Sequence, residues 1–178
     1  SGATGNFTTA TVNFNNISGN TTNLSVYNAA YSGPTVAGDG ILNASGNWWG
    51  TDDPGAITGL LGAIDYTPIL KNGDTDGGAV GFGADKSEVI VHLLGEQSGG
   101  VGRIQEGIDM VEGSTVYLTA GTFNEGPQIV IDKDVNVIGA GVGNTIVVPT
   151  GDTTSSGDGR GWWLVNPGNE FNLSDLTL

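Results

Sequence analysis

Cysteine is absent from the 178 residues, which excludes a disulfide framework, a thiolate zinc site and a cysteine nucleophile. Cations are scarce too. Five Lys and Arg stand against nineteen Asp and Glu, a formal net charge of −14 at pH 7. A nucleic-acid partner needs clustered Lys and Arg to neutralise phosphate, so none is expected, and an anionic membrane surface is disfavoured for the same reason. Apolar runs are all short. None approaches the roughly 18 residues of a membrane-spanning helix, so no membrane span is expected. Ser1 opens with neither a basic stretch nor an apolar signal core, which fits a mature product or a piece of something larger.

What the chain does have is glycine, 32 residues of it, and 37% apolar residues, too many for a disordered acidic tail. The apolar residues fall in short alternating runs separated by Gly, Asn, Asp or Thr, the signature of strands and turns. The runs include Ala10, Val12 and Phe14; Leu24 and Val26; Val89 to Leu94; Val116 and Leu118; Ile129 to Ile131; Val135 to Ile138; Ile146 to Val148; and Leu173 to Leu178. One segment has a different period. Val101, Ile104, Ile108 and Val111 are spaced for one stripe of a short amphipathic helix over 101–112, closed by Gly113. A Gly/Asp-rich stretch, 71–86, divides an Asn/Thr-rich segment 1–70 from a segment 87–178 that carries the helix and the best strands. The only Asn-Gly, Asn72-Gly73, lies in that linker, so a hairpin-built sandwich is disfavoured against a chain that coils.

Residues 103–139, RIQEGIDMVEGSTVYLTAGTFNEGPQIVIDKDVNVIG, resemble the opening of right-handed parallel β-helix proteins of the pectate-lyase-like superfamily. A second phrase, Asn47-Trp48-Trp49-Gly50 followed by Asp65-Tyr66-Thr67-Pro68-Ile69-Leu70, resembles the segment that closes such coils in large repetitive bacterial and archaeal surface proteins. The resemblance implies an all-β, right-handed parallel β-helix with a short capping helix near 101–112. It also implies that 1–70 holds closing rungs and 87–178 opening rungs, completed by the next copy. The closing phrase thus precedes the opening one.

That order implies a subunit or repeat of an extracellular filament or surface appendage, with copies joined head to tail by strand-edge pairing. The expected interface sets Phe171, Leu173, Leu176 and Leu178 of one copy against Ala10, Val12 and Phe14 of the next. A carbohydrate-binding or adhesive module is the alternative, with Trp48-Trp49 and Trp162-Trp163 as stacking platforms; alternation sets one indole of each pair inward and one outward, which favours core capping or packing on the neighbouring copy over sugar stacking.

Asn-x-Ser/Thr sequons at Asn6, Asn16, Asn20, Asn23, Asn43 and Asn172 are candidate sites for covalent glycans on a secreted glycoprotein. Corner asparagines of an Asn-rich chain give such triplets by composition alone. In the linker, Asn72-x-Asp74-x-Asp76-Gly77 imitates the first half of a calcium loop, but Gly83 stands where the bidentate Glu belongs, which favours a solvated turn over a calcium site. No other cofactor is indicated. A polysaccharide lyase or hydrolase needs paired carboxylates or a basic residue beside acidic ones on one strand face. No strand run carries carboxylates in i, i+2 register, and His92 lies in an apolar run, so an enzyme is not expected.

Overall fold

The computed structural model describes residues 10–21, 23–25, 41–74, 80–100, 102–126, 128–151 and 161–178. The first half contributes strands of two residues: β1 (Leu24–Ser25), β2 (Leu42–Asn43), β3 (Leu60–Leu61), β4 (Ile64–Asp65) and β5 (Ile69–Leu70). The second half is more regular. It runs β6 (Glu88–Val91), α1 (Arg103–Met110), β7 (Thr115–Leu118), β8 (Gly121–Glu125), β9 (Ile129–Ile131), β10 (Val135–Ile138), β11 (Thr145–Pro149), β12 (Trp163–Val165) and β13 (Phe171–Ser174).

These strands do not form the expected right-handed parallel β-helix. They fall into small separate sheets: one of five strands, in the order β13-β10-β7-β6-β5, and four of two strands, β1-β3, β2-β4, β8-β11 and β9-β12. The five-stranded sheet is mixed, because β5 meets β6 antiparallel with Ile69 opposite Ile90, whereas its other pairings are parallel. The physical reason for the miss is that alternation marks a strand and the face it buries, while its partner and relative direction come from contacts distant in sequence.

Strand β5 ends at Leu70 and β6 begins at Glu88. Apolar side chains collect in two clusters. The larger holds Leu70, Val89, Val91, Ile104, Ile108, Phe123, Val137 and their neighbours. The smaller joins Ile17, Leu42, Trp49, Ile64, Tyr66 and Ile69 to Ile90. Since β5 and β6 contribute to both, the two segments share their core.

Helix α1 lies within the segment whose spacing predicts it, with Ile104 and Ile108 fully buried. It stops at Met110, short of Gly113, because buried Val111 turns extended (φ −65°, ψ 130°). Gly107 is what lets α1 lie on the sheet. A Cβ there would sit 2.5 Å from Val91 Cγ2 and 3.1 Å from Val116 Cγ1. Alanine is the better helix former by about 1 kcal/mol, but the overpacking against two stiff β-branched side chains outweighs that. Gly107→Ala is therefore expected to lower stability by about 1–2 kcal/mol in chemical denaturation; an unchanged or higher midpoint would refute this account of the close approach.

Candidate functional site

The last described segment, 161–178, adds one more layer to three sheets. Trp163 to Val165 pair with Ile129 to Ile131, Phe171 to Ser174 pair with Val135 to Ile138, and Thr177 bridges to Ile146. Backbone bonds from Val147 N–H to Thr177 O (2.9 Å) and from Thr177 N–H to Thr145 O (2.8 Å) secure the third contact. Among the described residues no strand pairs with the outer side of β12 or β13.

Side-chain cover follows from this. Val135 and Val137 of β10 are 2% and 0% exposed, while their register partners Phe171 and Leu173 of β13 remain only half-buried. Phe171 stacks on Trp163 with centroids 5.4 Å apart, and Phe171, Leu173 and Leu176 pack on the larger cluster. Leu178 is 64% exposed. The outward face carries amides: Asn172 Nδ2 donates to Asn136 Oδ1 (2.9 Å), and Asn136 Nδ2 donates to Ser114 O (3.1 Å).

The other expected half of the interface lies on the smaller cluster. Ala10 and Val12 pack half-buried against it, along a segment whose Val12 N–H bonds Asn43 O (2.8 Å) and whose Ile17 N–H bonds Trp48 O (2.8 Å). Phe14 departs from the expected column. Its backbone is left-handed (φ 61°), and its ring sits under Lys86 Nζ, 4.1 Å from the centroid.

Between the two segments lies a knot of polar groups, fully buried at Asp65 and half-buried at Glu106, of which the residue order gives no sign. Asp65, fully buried, accepts from Ser98 N–H (2.7 Å), Ser98 Oγ (2.8 Å) and Thr67 N–H (3.2 Å). Glu106 of α1 accepts from Ser45 Oγ (2.7 Å) and Gln97 Nε2 (2.7 Å). Neither has an ion-pair partner among the described residues, where the ion pairs are Lys71–Glu88 and Lys86–Glu112. The nearby Arg103 guanidinium donates instead to the carbonyls of His92, Leu94 and Gly95. Burial and the neighbouring Asp65 charge push Glu106 up to about 7; burial also raises Asp65. His92, 1% exposed, is pushed down to about 4 by burial. Its Nδ1 accepts from Leu94 N–H (3.2 Å), which leaves Nε2 to donate to Tyr66 O (3.3 Å). A neutral imidazole satisfies both contacts.

Glu125 is a further buried carboxylate, and its position was readable in principle. In β8 the outward residues are Thr122 and Asn124, so Glu125 shares the inward face with Phe123. Its Oε1 accepts from Ile104 N–H (3.1 Å) and so caps α1, whose own N-cap is Gly102 without a side chain.

Of the sequon asparagines, Asn6 lies outside the described residues. Asn16 and Asn20 are exposed, as is Asn172. Asn23 Nδ2 is held by Thr58 O (2.7 Å), and Asn43 Nδ2 by Ser98 Oγ (3.1 Å). In the linker, Asn72 Nδ2 donates to Asp85 and Glu88 (3.2 Å each) and Asp74 Oδ1 accepts from Gly83 N–H (3.3 Å). Asp76 lies outside the described residues, and among those described no group of three or more His, Asp or Glu is placed to hold a metal ion. No described helix is long and apolar enough to cross a membrane.

No family model, curated protein or solved structure matches the chain. The likeness of 103–139 to pectate-lyase-like proteins therefore stands on the wording of that segment alone. Neither tryptophan pair presents a fully outward indole. Trp49 is 5% exposed and meets Tyr66 edge-on at 6.1 Å. Trp162 and Trp163 are both half-buried, 5.9 Å apart, and Trp162 Nε1 donates to Gly126 O (3.0 Å). Buried or half-buried indoles that pack on one another favour a core role over sugar stacking.

Proposed function

We propose that the chain is a structural subunit or repeat of an extracellular filament or surface appendage, and that copies join head to tail by strand-edge pairing at the layer 161–178. The observation that carries this reading is the contrast in cover at matched register positions: Val135 and Val137 are sealed, Phe171 and Leu173 are half open. An edge strand offers unpaired N–H and C=O groups, and apolar side chains half in water favour a cover that buries them. Tryptophan and phenylalanine are frequent anchors of such contacts. Asparagine-rich, cysteine-free composition and exposed sequons suit a secreted, glycan-bearing surface protein.

Net charge opposes association, because each copy carries −14. Salt screens that repulsion, with a Debye length of about 8 Å at 0.15 M. Weight-average mass from sedimentation velocity is expected to rise with protein concentration, and to rise further as salt increases. Leu173→Asp should weaken association by about tenfold or more, since a carboxylate would then be enclosed without a partner. A monodisperse monomer at high protein concentration in moderate salt would overturn the reading.

A further inference from the structure

The assembly reading leaves open which segment covers the layer 161–178 and in what register. Hydrogen bonds within that layer show which of its backbone groups are already used. Val135 N–H donates to Glu170 O and Gly139 N–H to Ser174 O. In β13 the even-numbered residues therefore face β10, and the N–H and C=O groups of Phe171 and Leu173 face outward. Past the corner, Thr177 uses its N–H on Thr145 O and its carbonyl on Val147 N–H, which turns the groups of Leu176 and Leu178 outward. Between the two stretches Asp175 is left-handed (φ 56°).

The segment 10–17 has a matching form. Asn43 N–H donates to Ala10 O and Val12 N–H to Asn43 O; Trp48 N–H donates to Asn15 O and Ile17 N–H to Trp48 O. Each bridge leaves its middle residue, Thr11 or Asn16, with its own N–H and C=O turned away from the partner. Those four groups have no hydrogen-bond partner among the described residues, and Thr11 and Asn16 are both exposed. They stand five residues apart, with left-handed Phe14 (φ 61°) third after Thr11. Asn172, Asp175 and Thr177 repeat that spacing, and Phe14 and Asp175 are the only left-handed residues other than glycine among those described. The chain already stacks this form once: Thr11 lies on Asn43 and Asn16 on Trp48, while Phe14 N–H bonds the carbonyl of left-handed Gly46 (φ 69°) between them.

Resting on the assembly reading, we propose that segment 10–17 of a second copy covers 171–178, with Thr11 opposite Asn172, Asn16 opposite Thr177, and the left-handed corner of Phe14 over that of Asp175. Thr11 N–H then donates to Phe171 O and Leu173 N–H to Thr11 O; Asn16 N–H donates to Leu176 O and Leu178 N–H to Asn16 O. Half-buried Ala10 and Val12 come to lie over half-buried Phe171 and Leu173, and Ile17 over the exposed Leu178. The corner fixes the register, because a slip of one residue would set a left-handed residue over an extended one and turn the apolar side chains to the other face. Charge permits the contact. Segment 10–17 has no charged side chain and 171–178 has one, Asp175, which lies at the corner where the second copy holds Lys86 Nζ 4.1 Å from the Phe14 ring centroid.

Because the chain has no cysteine, crosslinking reports the register directly. Thr11→Cys is mixed with Asn172→Cys, and Asn16→Cys with Thr177→Cys, under mild oxidation; the swapped mixtures, 11 with 177 and 16 with 172, are the out-of-register controls. Directly opposed strand residues fall within the about 4.4–6.8 Å Cα separation that a disulfide spans. Both in-register mixtures are expected to give covalent heterodimer at about tenfold or more over the swapped ones. Light scattering on the unmodified chain reports assembly independently. Assembly in which the swapped mixtures crosslink equally or better overturns the register and leaves the assembly reading standing, whereas a chain that stays monomeric overturns both. Thr11→Pro gives a second test without cysteine: it removes the outward N–H and spares the bonds within the chain, none of which uses that group. With its fold verified by circular dichroism and urea unfolding, Thr11→Pro should associate about tenfold more weakly, and unchanged association overturns the pairing at Thr11.

Discussion

Replacing Glu106 by glutamine is expected to leave stability unchanged near pH 4.5 and to raise it by roughly 3 kcal/mol at pH 8. The carboxyl bridges α1 to the loop after β2 through Ser45 and to the 97–98 loop through Gln97. All its donors are neutral. Burial and Asp65 raise it to about 7 from an ordinary 4.5, so the folded chain holds this proton more tightly than the unfolded chain does. That contribution is fully present below about pH 4.5 and is lost as pH rises through about 7. Above pH 7 the native chain must keep an ionised carboxylate where no cation pairs with it. Glutamine has the same shape and lacks that cost, and Ser45 Oγ can accept from its amide as readily as it donates to the carboxylate.

The comparison is made at matched pH because other groups titrate in the same range. Asp65 and Glu125 are also raised by burial and act with the same sign. His92 acts with the opposite sign: held at about 4, it contributes stability above pH 6.5 that is lost as pH falls toward 4. The wild-type chain should therefore be most stable on the acid side of neutrality, weaken as pH rises toward about 7, and level off above that. Urea unfolding of wild type and Glu106→Gln across pH 4.5–8.5 tests this. Parallel curves with no pH-dependent gap would remove the carboxylate as their cause.

Truncating Phe123 to alanine is expected to cost about 3–5 kcal/mol. Phe123 is among the largest fully buried side chains, 0% exposed, on the inward face of β8 in the larger cluster. Its neighbours come from α1 and strands in different sheets, so they cannot all collapse into the space together. Loss of that much from a typical total of about 5–15 kcal/mol leaves the chain marginal, and thermal unfolding should shift down by about 10 °C. The neighbouring outward Thr122→Ala should move the midpoint little, within about 0.5 kcal/mol. Equal effects at 122 and 123 would contradict the alternation that places them.

Much of the strand content was legible in residue order. The runs Ile129 to Ile131 and Val135 to Ile138 are β9 and β10, and the stripe of Ile104 and Ile108 is the buried face of α1. Alternation and helical period are local properties, and the sequence displays them directly. The run Ala10 to Phe14 fared differently. It makes only a bridge at Thr11, because Phe14 turns left-handed under Lys86. Glu106 carried no signal at all, since a glutamate in an acidic helix reads as a solvated residue until Ser45, Gln97 and Asp65 are brought around it.

The sequence by itself determined the absence of disulfides and thiolate ligands, the scarcity of cations, and the local elements, short β-strands with an amphipathic helix. These follow from composition and period alone. Only the tertiary structure decided how the strands pair. It replaced the expected coil with small separate sheets, set β5 antiparallel to β6, enclosed Asp65 and Glu106 without a cation, and left Phe171 and Leu173 half covered. Pairing, desolvation and the cover over an edge are contacts between residues far apart in the chain, and such contacts exist only once the chain has folded.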